Sequence, residues 1–225
     1  MDLFRVLVDA SPLLLKGLRM TVGITVLSLI LAMVLGVVTC LFAISELKPL
    51  RPLKWLAAFY VWLIRGTPML VQAMYIFFAM PQLLEIITGH NVQISVFTAS
   101  LVALTLNAGA YLSEIFRGAI NAVNKGQMEA SRSLGMSYGQ SMIKVILPQA
   151  VRICLPSLVN QCIITLKDST ILYAIGIAEI MYFGKIYVGR TFESLATYTW
   201  IAIFFLVVVT LLSFISKRIE RRLSL

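Results

Sequence analysis

The chain has 225 residues, of which 60% are hydrophobic and 13% are charged, and its mean hydropathy is +0.92. A soluble domain is nearer half apolar with about a quarter of its residues charged, so this composition excludes an ordinary soluble domain and indicates an integral membrane protein. The net charge of +9 does not indicate nucleic-acid binding, because the basic residues flank apolar runs and no basic helix with interleaved aromatic residues occurs.

The first twenty residues do not read as a signal peptide. Asp2 and Asp9 disturb the basic region that such a peptide needs, and no small-residue cleavage site closes a short apolar core. We therefore predict a retained surface helix that leads into the first membrane span.

Three uncharged apolar runs are long enough to cross a bilayer, which takes about 20 residues in a helix. They cover residues 20–44, 92–112 and 194–216. Two more runs are apolar but interrupted, 55–84 by the sequence RGTP at 65–68 and 153–181 by KDST at 167–170. The sequence thus predicts an all-α membrane protein of one domain, residues 1–225, with about five transmembrane helices.

The distribution of lysine and arginine predicts the orientation of these spans, since basic residues concentrate in cytoplasmic loops. They cluster in the loop 45–54, in the segment between the third and fourth spans, and in the C-terminal tail. Arg5, Lys16 and Arg19 would lie on the outer side, against this rule, but more basic residues lie on the predicted cytoplasmic side. We predict an N-terminus outside, a C-terminus in the cytoplasm, and a cytoplasmic position for residues 121–150.

The interruption near the end of the fourth span concentrates polar side chains. A charge inside a span costs about 2.5–3.5 kcal/mol on insertion scales and usually marks a solute or ion pathway. The alternative is that amides and hydroxyls here serve as hydrogen-bonding contacts between packed helices. The candidate path residues of this segment are Asn160, Gln161, Lys167, Asp168 and Ser169.

The interruption in the second span offers a second set of candidates, Arg65, Gly66 and Thr67, followed by Pro68. Glycine and proline open a helix and free backbone groups, and broken helices at mid-depth are where transporters bind solutes. The alternative is a loop that joins a short interfacial helix to the true second span, which would place Arg65 near the membrane surface.

No motif for energy conversion or catalysis occurs in the chain. The phosphate-binding string G-x-x-x-x-G-K-[S/T] is missing, as are a dinucleotide fingerprint and a Ser-His-Asp set, and the three cysteines lack metal-ligand spacing. The chain is therefore predicted not to be an enzyme. Uphill transport would need a separate ATPase or an ion gradient.

The segment EASRSLGMSYGQSMIKVILPQA, residues 129–150, predicts two short helices joined by a turn at Gly135, with Pro148 ending or kinking the second. An exposed cytoplasmic helix of this kind is a suitable ligand for a groove in a partner protein. The alternative is a solvated connector without a partner.

This segment resembles the EAA loop of ATP-binding-cassette (ABC) importer permeases. Ser131 and Val145 depart mildly from the family pattern. Further stretches, RGTPMLVQ, LNAGAYLSEIFRGAI and LKDSTI, look like the polar amino-acid subfamily, which serves histidine, glutamine, glutamate, arginine or cystine, and the overall likeness is greatest to glutamine permeases. The matching residues of the EAA loop are Glu129, Ala130, Gly135, Leu147 and Pro148.

The resemblance implies a type I importer with a MetI-like permease fold in the bacterial cytoplasmic (inner) membrane. Two permease chains, identical or paralogous, would form the path. Two separate ATPase chains would use ATP and Mg²⁺, an extracytoplasmic binding protein would deliver the amino acid, and this chain would bind no cofactor itself. The implied ATPase-docking residues are Glu129, Ala130, Ser131, Leu134 and Gly135.

The expected solute is a polar amino acid. Asn160, Lys167 and Asp168 supply the donors, cation and acceptors that a zwitterion requires, and Arg65 with the backbone of 66–67 could assist. Family members for basic amino acids tend to carry an acidic residue where Gln161 stands, so glutamine or another neutral, amide or acidic amino acid is favoured. The alternatives are an ion-coupled carrier or channel acting without an ATPase, and a membrane scaffold or sensor.

Overall fold

A computed structural model describes residues 3–45 and 48–223, and the regular structure of these residues is helical throughout. Short 3-10 segments lie at Lys48–Leu50 and Ser169–Ile175, and π-helical turns lie at Tyr75–Ala79 and Met142–Ile146. The α-helices are α1 (Leu3–Ile44), α2 (Arg51–Arg65), α3 (Met69–Met74), α4 (Met80–Thr88), α5 (Val96–Ala122), α6 (Lys125–Ser133), α7 (Tyr138–Ser141), α8 (Leu147–Asp168), α9 (Ile180–Thr191) and α10 (Ser194–Leu223).

Five helical stretches within the described residues are long and apolar enough to cross a membrane, which confirms the predicted number of about five. Where the bilayer surfaces cut these helices, and which end faces the cytoplasm, stay predictions. The stretches are Leu3–Ile44, Met69–Thr88, Val96–Ala122, Tyr138–Ile175 and Ser194–Ile215.

Helix α1 is a single helix of 42 residues, so the predicted N-terminal helix and the predicted span 20–44 are continuous. It packs along α5, and small side chains on its buried face allow a close approach. A methyl group at Gly36 would lie 2.8 Å from Cβ of Leu112 in α5. The α1–α5 pair forms the centre against which the other helices pack.

The N-terminal half of α1 packs against α9 and α10 through an apolar cluster. The cluster comprises Val6, Ala10, Leu14, Ile180, Tyr187, Ala196 and Ile201. Glu179, which is fully buried, caps α9 by accepting a hydrogen bond from the Tyr182 N–H at 2.8 Å. The Ile180 N–H donates to Thr21 Oγ1 of α1 at 3.3 Å. The start of α9 is thus tied to α1 by a hydrogen bond from its backbone to the Thr21 side chain.

The predicted second span is divided in the structure. Met69–Thr88 has the length and hydropathy of a span, whereas α2 is a separate helix of 15 residues. Helix α2 exposes much of its surface and buries only Ala57 and Ile64. The structure thus contains the predicted break at 65–68, and the interfacial position of α2 stays a prediction.

Candidate functional site

The interruption at 65–68 is a break between two helices. Helix α2 ends at Arg65, and the Gly66 N–H donates to the Trp62 carbonyl oxygen at 2.9 Å. Pro68 is extended, with φ −65° and ψ 141°, and α3 begins at Met69. A proline has no N–H and disfavours the helical conformation in the residue before it, so the helix stops here. The last carbonyl groups of α2 must then find other partners.

Gln72 supplies those partners. Its Nε2 lies 2.7 Å from the Ile64 carbonyl oxygen and 3.0 Å from both the carbonyl oxygen and Oγ1 of Thr67. Its Oε1 accepts a hydrogen bond from Asn107 Nδ2 of α5 at 3.0 Å. Gln72 and Asn107 are both buried. The break is therefore held in shape by a buried amide pair that anchors it to α5.

Neither amide was predicted as functional. Gln72 lies in the RGTPMLVQ stretch and Asn107 in LNAGAYLSEIFRGAI, so the family resemblance covers both positions but assigns neither a role. The sequence feature that indicates a role for Gln72 is its position inside an apolar run, four residues after Pro68. A buried amide needs hydrogen-bond partners, and the break supplies them.

Arg65 belongs to a cluster of charges at the same break. Its Nη1 lies 3.3 Å from Glu114 Oε2, and its guanidinium carbon lies 5.4 Å from the centre of the Tyr111 ring. Glu114 also receives two hydrogen bonds from Arg117, at 2.9 and 2.7 Å. The two arginine side chains are 43% exposed and Glu114 is 25% exposed. Two cations thus share one carboxylate beside the break, which leaves excess positive charge there.

The second interruption begins where α8 ends, at Asp168, and continues as the 3-10 segment Ser169–Ile175. Thr170 Oγ1 donates to the Lys167 carbonyl oxygen at 2.7 Å, and such side-chain bonds compete with the regular α-helical pattern. The segment ends at Gly176, whose φ of 96° is accessible mainly to glycine.

Three of the predicted path residues on α8 lie toward the surface of the chain. Asn160 and Lys167 are exposed, and they share one face of the helix because they are seven residues, or about two turns, apart. Asp168 is half-buried and lies about 100° further around the axis. The exposed face of α8 therefore carries an amide and a charge.

Gln161 and Ser169 face inward. Gln161 is 3% exposed, and its Nε2 donates to Thr165 Oγ1 at 3.3 Å within the same helix. Ser169 is fully buried, and its hydroxyl donates to the Leu166 carbonyl oxygen at 2.8 Å. In this conformation neither side chain reaches the exposed face that holds Asn160 and Lys167.

The two interruptions meet in the interior. Met69 and Ala73 of α3, which follow the first break, share an apolar cluster with Leu172 and Ile175 of the 3-10 segment. Ala103 of α5 belongs to the same cluster. The two broken segments are therefore in direct apolar contact with each other.

The predicted docking segment contains a well-formed helix end. Gly135 follows α6 with a φ of 84°. The Met136 N–H donates to the Ser131 carbonyl oxygen at 3.2 Å, and the Gly135 N–H donates to that of Arg132 at 3.0 Å. This pair of bonds is the Schellman arrangement, which requires a left-handed residue at the turn.

Helix α7 starts with a reciprocal cap. Ser137 Oγ accepts from the Gln140 N–H at 3.3 Å, and Gln140 Oε1 accepts from the Ser137 N–H at 2.8 Å. Met128 and Met142 attach the two sides of the turn to an apolar cluster on α5 and α8. The turn is therefore held by local hydrogen bonds and by apolar contacts on both of its sides.

Most of the predicted docking residues are accessible. Glu129, Ala130 and Gly135 are exposed, and the Leu134 side chain is 85% exposed. Ser131 is buried instead, and its hydroxyl donates to the Met128 carbonyl oxygen at 2.9 Å. Four of the five predicted residues are therefore exposed, and the fifth supports the turn from within.

Two apolar side chains extend this surface beyond the predicted set. Tyr138 is 60% exposed and Ile143 is 66% exposed. Both lie in the stretch compared with the EAA loop, but the family pattern leaves their positions unspecified. In the sequence, a tyrosine and an isoleucine close to a charged helix are the feature that indicates an interaction surface here.

Within residues 3–45 and 48–223, no three side chains of the His, Cys, Asp or Glu type come together as a possible metal site. Cys40, Cys154 and Cys162 are unpaired thiols in the packed helices. The polar side chains described above take part in hydrogen bonds and ion pairs.

Comparison with known proteins identifies the architecture. The chain matches an amino acid ABC transporter described as "Crystal structure of an amino acid ABC transporter with histidines", with a TM-score of 0.90, 36% identity, and 99% of each chain covered. Inward-facing MetNI methionine ABC transporter structures match with a TM-score of 0.74 at 22% identity, over 95% of this chain and 97% of the other. These matches confirm the predicted type I, MetI-like permease fold.

Sequence relatives agree with the structural match. The arginine transport system permease protein ArtQ of Bacillus subtilis (strain 168) is 39% identical, over 98% of this chain and 97% of the relative. The glutamine transport system permease protein GlnP of Escherichia coli (strain K12) is 38% identical, over 96% and 95%. The B. subtilis L-cystine transport system permease protein TcyB is 37% identical, over 95% and 87%.

The family comparison covers most of the chain. Residues 29–225 match the family described as "Binding-protein-dependent transport system inner membrane component". Its relatives are named as permease proteins, so the chain is a transport subunit and not an enzyme, as predicted. The chain belongs to the family of inner membrane components of binding-protein-dependent transport systems.

Proposed function

We propose that this chain is the membrane subunit of an importer that moves a polar amino acid across the bacterial cytoplasmic membrane. The observation that carries the proposal is the contact between two interrupted helices, with Met69 and Ala73 after one break packed on Leu172 and Ile175 after the other. Paired broken helices are where transporters bind solutes and change conformation. Amino-acid transport by the named relatives supports the class of solute.

In this proposal the solute passes beside Asn160, Lys167 and Asp168. An amino-acid zwitterion needs a cation or donors for its carboxylate and acceptors for its ammonium group, and these three side chains offer both. Arg65 at the first break supplies further positive charge. Gly66 and Thr67 shape the break beside it, because the Gly66 N–H and the Thr67 carbonyl oxygen are already hydrogen-bonded there. Ser169 has its hydroxyl engaged, so its role is to hold the helix end.

A second permease chain, identical or paralogous, completes the path. Asn160 and Lys167 are exposed on a helical stretch that is long and apolar enough to cross a membrane. A lysine facing lipid inside the bilayer is costly, so such residues face a bundle interior or a wet cavity. A partner permease across this face would enclose both side chains between the two chains.

A separate ATPase drives the transport from the cytoplasmic side. Glu129, Ala130, Leu134 and Gly135 form the docking surface, with Ser131 as its internal support. The concentration of Lys and Arg around this segment supports a cytoplasmic position, an external N-terminus and a cytoplasmic C-terminus. The ATPase uses ATP and Mg²⁺, and an extracytoplasmic binding protein delivers the amino acid.

Glutamine, or another neutral or acidic amino acid, is the favoured solute. The family comparison supports an amino acid in general, because the relatives are named for arginine, glutamine and cystine at similar identities. The preference rests on the neutral Gln161. Because Gln161 is buried and bonded to Thr165, it would act by shaping α8 rather than by touching the solute.

The test is uptake by reconstituted vesicles. The chain, its ATPase and its binding protein are placed in liposomes with and without internal ATP, and labelled glutamine, arginine and cystine are compared. We expect uptake that needs ATP, with glutamine preferred. Uptake of the same size without the ATPase would instead support the ion-coupled alternative and overturn the proposal.

A further inference from the structure

Helix α2 is too short and too polar on one side to cross the membrane. Its 15 residues extend about 22 Å, less than the roughly 30 Å of a hydrocarbon core. It is attached to the bundle by the buried side chains Ala57 and Ile64 and by Tyr60, whose hydroxyl donates to the Leu106 carbonyl oxygen at 2.6 Å. The helix is therefore held against α5 with its opposite face free of the bundle.

That free face mixes cations with tryptophans. Arg51, Ala58 and Arg65 lie seven residues apart and so form one stripe along the helix. Trp55 and Trp62 lie beside the stripe and are 77% and 69% exposed. Tryptophan next to arginine and lysine is the composition of the membrane–water interface, where an aromatic ring sits at the level of the head groups.

The N-terminal end of the stripe forms a surface cavity of about 510 Å³. It is lined by Ser45, Arg51, Lys54, Trp55 and Ala58. Lys54 Nζ lies 3.4 Å from the Ser45 carbonyl oxygen, which closes one side of the cavity. Among the described residues, no carboxylate lies within ion-pair distance of Arg51 or Lys54. The cavity thus carries two positive charges and an exposed indole.

We propose that this cavity binds the head group of an anionic phospholipid. Arg51 and Lys54 would hold the phosphate, and Trp55 would lie at the glycerol level with the acyl chains running along α2. The charge complementarity favours a lipid phosphate over an acyl chain, which would leave both cations without a partner. At the other end of the stripe Arg65 is paired with Glu114 of α5, so the proposed head-group site is confined to the N-terminal part of α2.

Direct lipid binding tests the proposal. The full chain is purified in detergent and titrated with phosphatidylglycerol or phosphatidylcholine, and bound lipid is counted by native mass spectrometry. We expect the chain to prefer phosphatidylglycerol. A basic residue at a membrane surface contributes about 1 kcal/mol, so Arg51→Gln or Lys54→Gln should weaken phosphatidylglycerol binding about 5-fold, and the double variant about 30-fold.

Two further double variants test whether lipid binding depends on the charges of this cavity or on the net charge of the chain. Arg51→Lys with Lys54→Arg keeps both charges and should retain the preference, which shows that the cavity tolerates substitution. Lys185→Gln with Arg190→Gln removes two charges from α9 and should leave phosphatidylglycerol affinity unchanged. Equal affinity of the Arg51→Gln/Lys54→Gln variant and the native chain would overturn the proposal. Loss of ATPase co-purification with unchanged lipid affinity would also overturn it, and would assign the face to the ATPase.

Discussion

Asn107 of α5 donates a hydrogen bond to Gln72 of α3 across 3.0 Å, and this bond is a buried polar link between the broken second span and the centre of the bundle. Gln72 in turn satisfies the Ile64 and Thr67 carbonyl oxygens left free by the break. The bond is buried, so removing either partner leaves a polar group without water or a substitute.

Asn107→Ala should therefore destabilise the chain. It leaves Gln72 Oε1 buried without a donor, at a cost of about 1–3 kcal/mol. The thermal unfolding midpoint in detergent should fall, and transport should fall with it. Asn121→Ala is the matched control, because Asn121 is exposed near the end of the same helix. Equal midpoints for the two variants would contradict the role given to the amide pair.

Gly135→Leu should separate docking from membrane insertion. Open space surrounds a Cβ at Gly135, but its φ of 84° strains any side chain by about 1–2 kcal/mol. We expect the variant to insert and to lose most ATPase co-purification. Gly139→Leu, where a Cβ is equally uncrowded and φ is not positive, should keep its ATPase. Normal co-purification of Gly135→Leu would refute the docking role of the turn.

Asp168→Asn should impair transport and spare docking. The amide keeps the shape of the carboxylate but removes the charge that an ammonium group would contact. We expect ATP-dependent uptake to drop at least about tenfold, which corresponds to about 1.4 kcal/mol, with normal ATPase co-purification. Glu129→Gln provides the reciprocal control, since it alters the docking surface at a distance in sequence from the path. Native uptake by Asp168→Asn would remove Asp168 from the path.

Gly17→Ala should loosen the contact between α1 and α9. A methyl group at Gly17 would lie 2.6 Å from Cα of Ile180 and 2.8 Å from the Glu179 carbonyl oxygen, so the backbone itself would have to move. Overpacking of this kind costs about 1–3 kcal/mol. Gly23→Ala in the same helix meets open space and should be neutral or stabilising. The difference in thermal unfolding midpoint between the two variants measures how much the close contact between α1 and α9 contributes to stability.

Gln161→Glu examines substrate preference. A carboxylate at this buried position would lose its bond to Thr165 or move toward the path, and either change should shift uptake from glutamine toward basic amino acids. Competition between labelled glutamine and unlabelled arginine measures the shift, with a fixed binding protein in both preparations. An unchanged profile would mean that the binding protein alone sets specificity.

The class of the protein, the number of membrane-crossing helices and the position of both interruptions could be predicted from the sequence. Each depends on local properties: the length of an apolar run, the glycine and proline in the step 65–68, or the polar residues of 167–170. The turn at Gly135 was equally predictable, because a left-handed residue at a helix end needs no distant partner.

The partners of the site residues were decided only by the tertiary structure. Arg65 meets Glu114 and Gln72 meets Asn107 across long stretches of chain, and no periodicity encodes such pairings. The sequence could not predict which side of α8 faces inward, because polar residues such as Asn160 and Gln161 occur on adjacent faces of the same helix. Packing against α5 and the neighbouring helices buries one face and exposes the other, since only one of them can fill the interior. The sequence by itself thus determined a broken-helix membrane protein with a turn at Gly135, and the packing of the helices decided which polar side chains are buried and which are exposed.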